Sequence, residues 1–297
     1  MDRIMLSITP NTAYALCKIV DTGKLSLPIG WKAILTPPDP TAANPNYAAV
    51  FQYVDGTYAL VIQGTKNKGD ATEDLDVTTQ KSFPYIENAQ IAAGTAEAME
   101  NILKLALHHQ HEPGRSVSLE DFLKGLPAES QLLITGHSLG GNVASAMAPW
   151  LVGNIAAFFN GSGPDVHLPQ NLLAITFAAP TAGNAAFANF LDSQSNYQAH
   201  FNINDVVPHV WGTRDPLNAW NIENMFRNGP NPAPKEIWRI IKSKLETIES
   251  NGLNYTQTKG VFFEGKIQGG LDWMKEMSYQ HNDAYDFHFL DAAIGET

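Results

Sequence analysis

The chain has 297 residues, 44% of them apolar and only 16% charged, with a formal net charge of −11. That composition excludes a disordered chain or a coiled coil, and the acidic balance argues against a nucleic-acid partner, because phosphate contacts need a basic face. The single cysteine, Cys17, excludes an intramolecular disulfide and reads as a small buried residue.

The opening stretch MDRIMLSITPNTAYALCKIV lacks a basic segment followed by a continuous apolar run. No run approaches the ~20 apolar residues of a membrane helix. The expected location is therefore the cytoplasm, or outside it by a route without such a signal. The first 45 residues are mixed and rich in turn formers. Ala48–Val54 and Tyr58–Gln63, two apolar runs around Asp55-Gly56-Thr57, predict a hairpin. The polar stretch KNKGDATEDLD then reads as loop. Met99, Ile102, Leu103 and Ala106 recur at helical spacing and predict a helix from Thr95, as N-cap, to His109. Pro113-Gly114 stops it. Leu132–Thr135 predicts a buried strand. GHSLGGNVASAMA turns from it into a helix that Pro149 limits to about three turns. Leu172–Phe177 and Gln198–Ile203 are further strands, with a helix at Gly183–Leu191 between them.

Strands alternating with helices predict an α/β fold with a mostly parallel central sheet flanked by helices. Residues 1–297 read as one domain. The segment 209–280 is long for a connection and reads as an insertion or cap. It opens with Trp211, Trp220, Ile222, Met225 and Phe226, which either shape a pocket or belong to the core. Ile237, Ile241, Leu245 and Ile248 then stripe a helix starting near Lys235.

The chemistry concentrates at Gly136-His137-Ser138-Leu139-Gly140. A serine between a buried strand and a small-residue helix is the signature of a nucleophile on a sharp turn, where flanking positions have no room for side chains. A serine hydroxyl needs a base, and the base an acid, in the chain order Ser, Asp or Glu, His. Asp205, after the Gln198–Ile203 strand, is the expected acid; Asp165 is the alternative. His281 is the expected base, in a loop entering a C-terminal helix. His288 is the alternative, and His209 is too close to Asp205 in sequence. The oxyanion of acyl transfer needs donors, expected from the N–H of Leu139 and from Thr65. His137 reads as structural. His108, His109 and His111 read as the end of a helix rather than a metal site. No cofactor or metal is called for.

The set VIQGT, TGHSLGG, ITFAAPTAGN, NDVVPH and YQHNDAY resembles the class 3 lipases, which include fungal triacylglycerol lipases and plant phospholipase A1-like enzymes. The likeness spans about Ala48 to Ala293. It implies an α/β-hydrolase fold and hydrolysis of lipid carboxylic esters through a serine nucleophile, with transient contact to a lipid interface. It places the nucleophile on Ser138, the acid on Asp205, the base on His281 and the oxyanion hydroxyl on Thr65. Phospholipase A1, galactolipase or another acyl transfer is the alternative activity, and a non-catalytic binding protein on the same fold the more distant one. Gln63 stands where the family often has Arg. The stretch KNKGDATEDLDVTTQ, at the family's lid position, has few large apolar residues; the segment after Asp205 has more.

Overall fold

Buried apolar runs become strands and one-sided runs become helices, in the order expected from βαβ units. In a computed structural model, residues 8–23, 26–37, 47–64, 76–159, 167–226 and 234–290 are described. The helices are α1 (Pro10–Thr22), α2 (Ala93–Leu103), α3 (Leu119–Lys124), α4 (Leu139–Asn154), α5 (Ala185–Asp192), α6 (Lys235–Ser250), α7 (Trp273–His281) and α8 (Asp283–Phe289). Nine strands form one sheet: β1 (Trp31–Thr36), β2 (Ala48–Tyr53), β3 (Tyr58–Ile62), β6 (Ala106–His109), β7 (Ser116–Ser118), β8 (Leu132–His137), β9 (Leu172–Phe177), β10 (Tyr197–Asn202) and β13 (Val261–Phe263). Short pairs β4–β5 (Gln80–Ser82, Gln90–Ala92) and β11–β12 (Thr213–Arg214, Leu217–Asn218) lie outside it.

The sheet order is β13-β10-β9-β8-β3-β2-β1-β6-β7. The five strands from β3 to β13 are parallel, and antiparallel pairing on the other side returns β1 and β7 to the same direction. Helices cover both faces. Leu132 and Ile134 of β8 point to the core shared with α2, α4 and α5, while Leu133 points to the core shared with α1 and α8. That alternation is the two-residue period of a strand buried on both sides.

Several sequence expectations are corrected. The turn-rich N-terminal stretch contains α1. The Thr9 hydroxyl accepts the Thr12 N–H (3.2 Å), Pro10 opens the first turn, and Gly23 closes the helix at φ 65°. The predicted helix to His109 ends at Leu103, because Ala106–His109 pairs between β1 and β7 as β6. His108 and His109 are therefore strand residues rather than a helix end. Thr95 is not a cap: it is buried inside α2 and donates to Asn142 Oδ1 (2.7 Å). Pro149 does not end α4, which runs on to Asn154. Burial of Met147, Leu151 and Val152 outweighs the missing hydrogen bond, a loss of about 3 kcal/mol. Asn184 caps α5, which begins at Ala185.

Within 209–280, Trp211, Ile222 and Phe226 are buried with Ile241, Leu245 and Ile248 of α6 and with Trp273. They form a separate core, and Leu139 packs against it. Trp220 stays exposed, edge-on to Trp238. The same segment also supplies β13, which extends the main sheet beside β10.

Candidate active site

The strand β8 ends in the middle of the sheet, between β3 and β9, and the chain turns directly into α4. Ser138 sits on that turn at φ 58°, ψ −128°. A non-glycine residue at positive φ costs about 1–3 kcal/mol and persists only where its surroundings enforce it. Here the Ser138 N–H donates to Phe177 O (2.9 Å), and the Ser138 carbonyl accepts from Asn142 N–H (3.1 Å). The flanking glycines are steric requirements. A Cβ on Gly136 would lie 2.3 Å from the Gly140 backbone, and one on Gly140 would lie 2.1 Å from Ile62 O.

His281 Nε2 lies 2.8 Å from Ser138 Oγ, and His281 Nδ1 lies 2.8 Å from Asp205 Oδ2. The carboxylate can only accept, so the Nδ1 proton points to Asp205 and Nε2 is free to accept from the serine. Asp205 is fully buried. Its other oxygen accepts the Val207 N–H (3.0 Å). The Tyr285 hydroxyl, buried against Asp205, is pushed well above its ordinary pKa by burial and then by that carboxylate. A buried carboxyl group is costly unless its oxygens are hydrogen-bonded, and here each has a nitrogen partner. The Leu139 N–H is the first of α4, where N–H groups have no partner within the helix and the dipole favours negative charge.

The family model Lipase (class 3) matches residues 59–214, a little over half of the chain. The chain belongs to the class 3 lipase family. The matched stretch includes Ser138 and Asp205 and stops short of His281. The lipases of Rhizopus niveus and Rhizopus oryzae are each 24% identical to this chain over 198 residues, 64% of this chain. The chain spans 43% of the length of these curated relatives. The crystal structure of M37 lipase superposes with a TM-score of 0.76 at 22% identity, covering 97% of this chain and 99% of that one. The fold of this class 3 family member is thus the α/β-hydrolase fold, a mostly parallel sheet flanked by helices.

In this family member Ser138, Asp205 and His281 come together from the turn after β8, the loop after β10 and the end of α7. His281 is the last residue of α7 rather than a loop residue, as the sequence suggested. The alternative base His288 instead stacks on Phe263, ring centroids 4.1 Å apart. His209 turns its Nε2 to Ile203 O (3.0 Å). Thr65 and Asp165 lie outside the described residues. Among the described residues, no group of three or more His, Cys, Asp or Glu side chains is placed to hold a metal ion, and no helix is long and apolar enough to cross a membrane.

Sequence reasoning missed the residues behind this constellation. Asn142 is buried between α2 and the loop after β9, accepting from Thr95 and donating to Pro180 O (3.1 Å). His137, read as structural, has a specific partner: its Nε2–H donates to the His281 carbonyl (2.8 Å). Burial, the neighbouring His281 and Lys18 hold the His137 pKa well below the ordinary value, so its ring stays neutral. The signal available for Asn142 was its place inside an otherwise apolar helix; for His137 it was adjacency to Ser138.

Proposed function

We propose that this chain is a serine hydrolase that cleaves carboxylic ester bonds of lipids, as a triacylglycerol lipase or carboxylesterase. The observation that carries this reading is the relay of two 2.8 Å hydrogen bonds, Ser138 Oγ to His281 and His281 to Asp205, on a strained strand-to-helix turn. The substrate class follows from the name lipase given to both Rhizopus relatives.

Ser138 Oγ attacks the acyl carbonyl as His281 Nε2 takes its proton. Asp205 holds the Nδ1–H and balances the imidazolium charge. The Leu139 N–H stabilises the oxyanion, and Thr65 is the second donor proposed from the sequence. Collapse of the tetrahedral intermediate expels the alcohol, which leaves with the proton from His281. Water then attacks the acyl-serine, with His281 as base again, and returns the free acid and Ser138. We read residues 1–297 as one domain in which 209–280 contributes the cover beside Leu139, through Trp211, Ile222, Phe226 and α6. No cofactor enters these steps.

Turnover of p-nitrophenyl butyrate, p-nitrophenyl palmitate and emulsified triglyceride by the parent chain and Ser138→Ala tests the reading. Activity on the long-chain and emulsified substrates, lost in the variant, is the expected result. Activity on butyrate alone assigns a carboxylesterase with a short acyl pocket. Parent-like turnover by Ser138→Ala overturns the assignment.

A further inference from the structure

The last turn of α1 carries an acid where the helix dipole disfavours one. The Asp21 side chain is mostly buried, with 18% of its surface exposed. Its Oδ1 accepts the Gly64 N–H (3.1 Å). One residue earlier, Gln63 Nε2 donates to the Val20 carbonyl (2.6 Å), so two successive residues after β3 are tied to the end of α1. Gly64 in turn abuts the nucleophile: a Cβ built on it would lie 2.9 Å from His137 O and 3.2 Å from Ser138 Cβ. The other oxygen, Asp21 Oδ2, lies 3.7 Å from His137 Nδ1. Because His137 Nε2–H is committed to the His281 carbonyl, that Nδ1 is a bare lone pair.

We propose that Asp21 is a positioning residue for the hydrolysis assigned to Ser138, His281 and Asp205, holding the Gln63-Gly64 backbone against the nucleophile and, through His137, facing the carbonyl that seats the base. The inference rests on the triad reading given under Proposed function. The groups facing Asp21 are Lys18, Tyr14 and Cys17 on its own helix, His137 on β8, His281 on α7 and Asp286 on α8. Lys18 pairs with Asp286 (2.9 Å), and its pull on Asp21 is outweighed by burial. A protonated Asp21 presents an O–H toward the bare His137 nitrogen. Burial favours that form by raising the Asp21 pKa to about 7.

Two substitutions separate anchoring from charge. Asp21→Asn keeps an oxygen for the Gly64 N–H and offers an NH2 toward His137 Nδ1, as the protonated acid does. Asp21→Ala removes both. With p-nitrophenyl butyrate, Asp21→Ala is expected to lose about tenfold or more in kcat at a KM within about twofold, and Asp21→Asn to stay within about threefold of the parent, since misplacing a reacting group is felt in the transition state. Parent-like kcat in Asp21→Ala overturns the proposal. So does an Asp21→Asn loss as large as that of Asp21→Ala, because the charge and not the anchor is then what matters. Should Asp21→Ala fail to give a cooperative melt, Asp21→Leu fills a similar volume without an acceptor for the Gly64 N–H; it is expected to lower kcat at unchanged KM, and parent-like kcat there overturns the proposal as well. Ser138→Ala is assayed alongside. A fully active Ser138→Ala sinks the triad reading, whereas an inactive Ser138→Ala with parent-like Asp21→Ala sinks only the role of Asp21.

Discussion

The Asn202 Nδ2 group donates to both the backbone carbonyl (2.9 Å) and the side-chain oxygen (2.7 Å) of Gln280. Asn202 ends the strand that leads to Asp205, and Gln280 precedes His281. The bond therefore spans the two elements that carry Asp205 and His281. Asn202 Oδ1 accepts from the N–H groups of Asn204 (3.1 Å) and Gly265 (2.8 Å), so this fully buried amide is satisfied on all sides. Asn202→Ala leaves buried donors and acceptors unpaired at about 1–3 kcal/mol each, partly relieved by relaxation. The expected outcome is a loss of about 2–4 kcal/mol in urea unfolding, together with a fall in kcat. A stability within experimental error of the parent counts against the arrangement.

How legible such features are in the sequence depends on the distance between partners along the chain. The hairpin 48–62, the elbow at Ser138 and the stripe Ile241, Leu245, Ile248 are local patterns, readable from period and turn residues. The chain order Ser, Asp, His pointed to Ser138, Asp205 and His281, which the fold brings within hydrogen-bond distance although His281 lies 143 positions from Ser138. By contrast, Ala106–His109 satisfies a helical period as well as a strand, and what decides is pairing with β1, about seventy residues upstream. Asp21 meets Gly64 across 43 positions and Asn202 meets Gln280 across 78. Polar residues whose role is set by such distant contacts leave no local mark. The helix α1 did leave marks, Thr9-Pro10 and Gly23, inside a stretch whose turn-former content obscured them.

The close approach of β3 to α4 makes Gly140 the least replaceable position of the elbow. A methyl there would sit 2.1 Å from Ile62 O and 2.8 Å from Gln63 C, both backbone atoms with no side-chain freedom. Gly140→Ala is expected to destabilise by about 3 kcal/mol or more, or to prevent folding. Gly269→Ala, with nothing within 4 Å of the added carbon, is the matched control and is expected to melt like the parent. Thermal unfolding of the two variants side by side checks this; equal melting temperatures contradict it.

Asp21 also sets a pH dependence of stability. Burial raises its pKa from 3.8 to about 7 in the folded chain. Between those values the folded chain binds a proton that the unfolded chain has released, so the slope of stability with pH is negative for this group. Its contribution is fully present below the unfolded pKa and is lost as pH rises through about 7. Urea midpoints of the parent and Asp21→Asn from about pH 4 to about pH 8 read the difference directly. The parent is expected to lose ground relative to the variant across that range; a gain has the wrong sign.

Cys17 is buried in α1 with its thiol 3.2 Å from Thr135 Oγ1. Burial pushes the thiol far above its ordinary pKa, and the thiolate is the reactive form. The native chain is expected to ignore a water-soluble disulfide reagent at mildly alkaline pH. One equivalent is expected to react after denaturation, matching the single cysteine. Stoichiometric labelling of the native chain within the mixing time would contradict this burial.

The tautomer of His281 is fixed by Asp205, and an amide at that position is expected to reverse it. One Asp205 oxygen is engaged by the Val207 N–H (3.0 Å) and the other faces His281 Nδ1 (2.8 Å). In Asp205→Asn the Val207 N–H claims the amide oxygen, because an NH2 there would set donor against donor. The NH2 group is then turned to His281, whose Nδ1 must accept. That moves the ring proton to Nε2, the nitrogen facing Ser138 Oγ (2.8 Å), where it can no longer take the serine proton. The imidazolium also loses its carboxylate. Volume and hydrogen-bond number are unchanged, so the fold is expected to melt near the parent temperature while kcat falls by about 10³–10⁴. Stopped or continuous assay with p-nitrophenyl butyrate, paired with a thermal melt, decides it. A fall of only a few fold in a folded variant means that Asp205 does not orient the base.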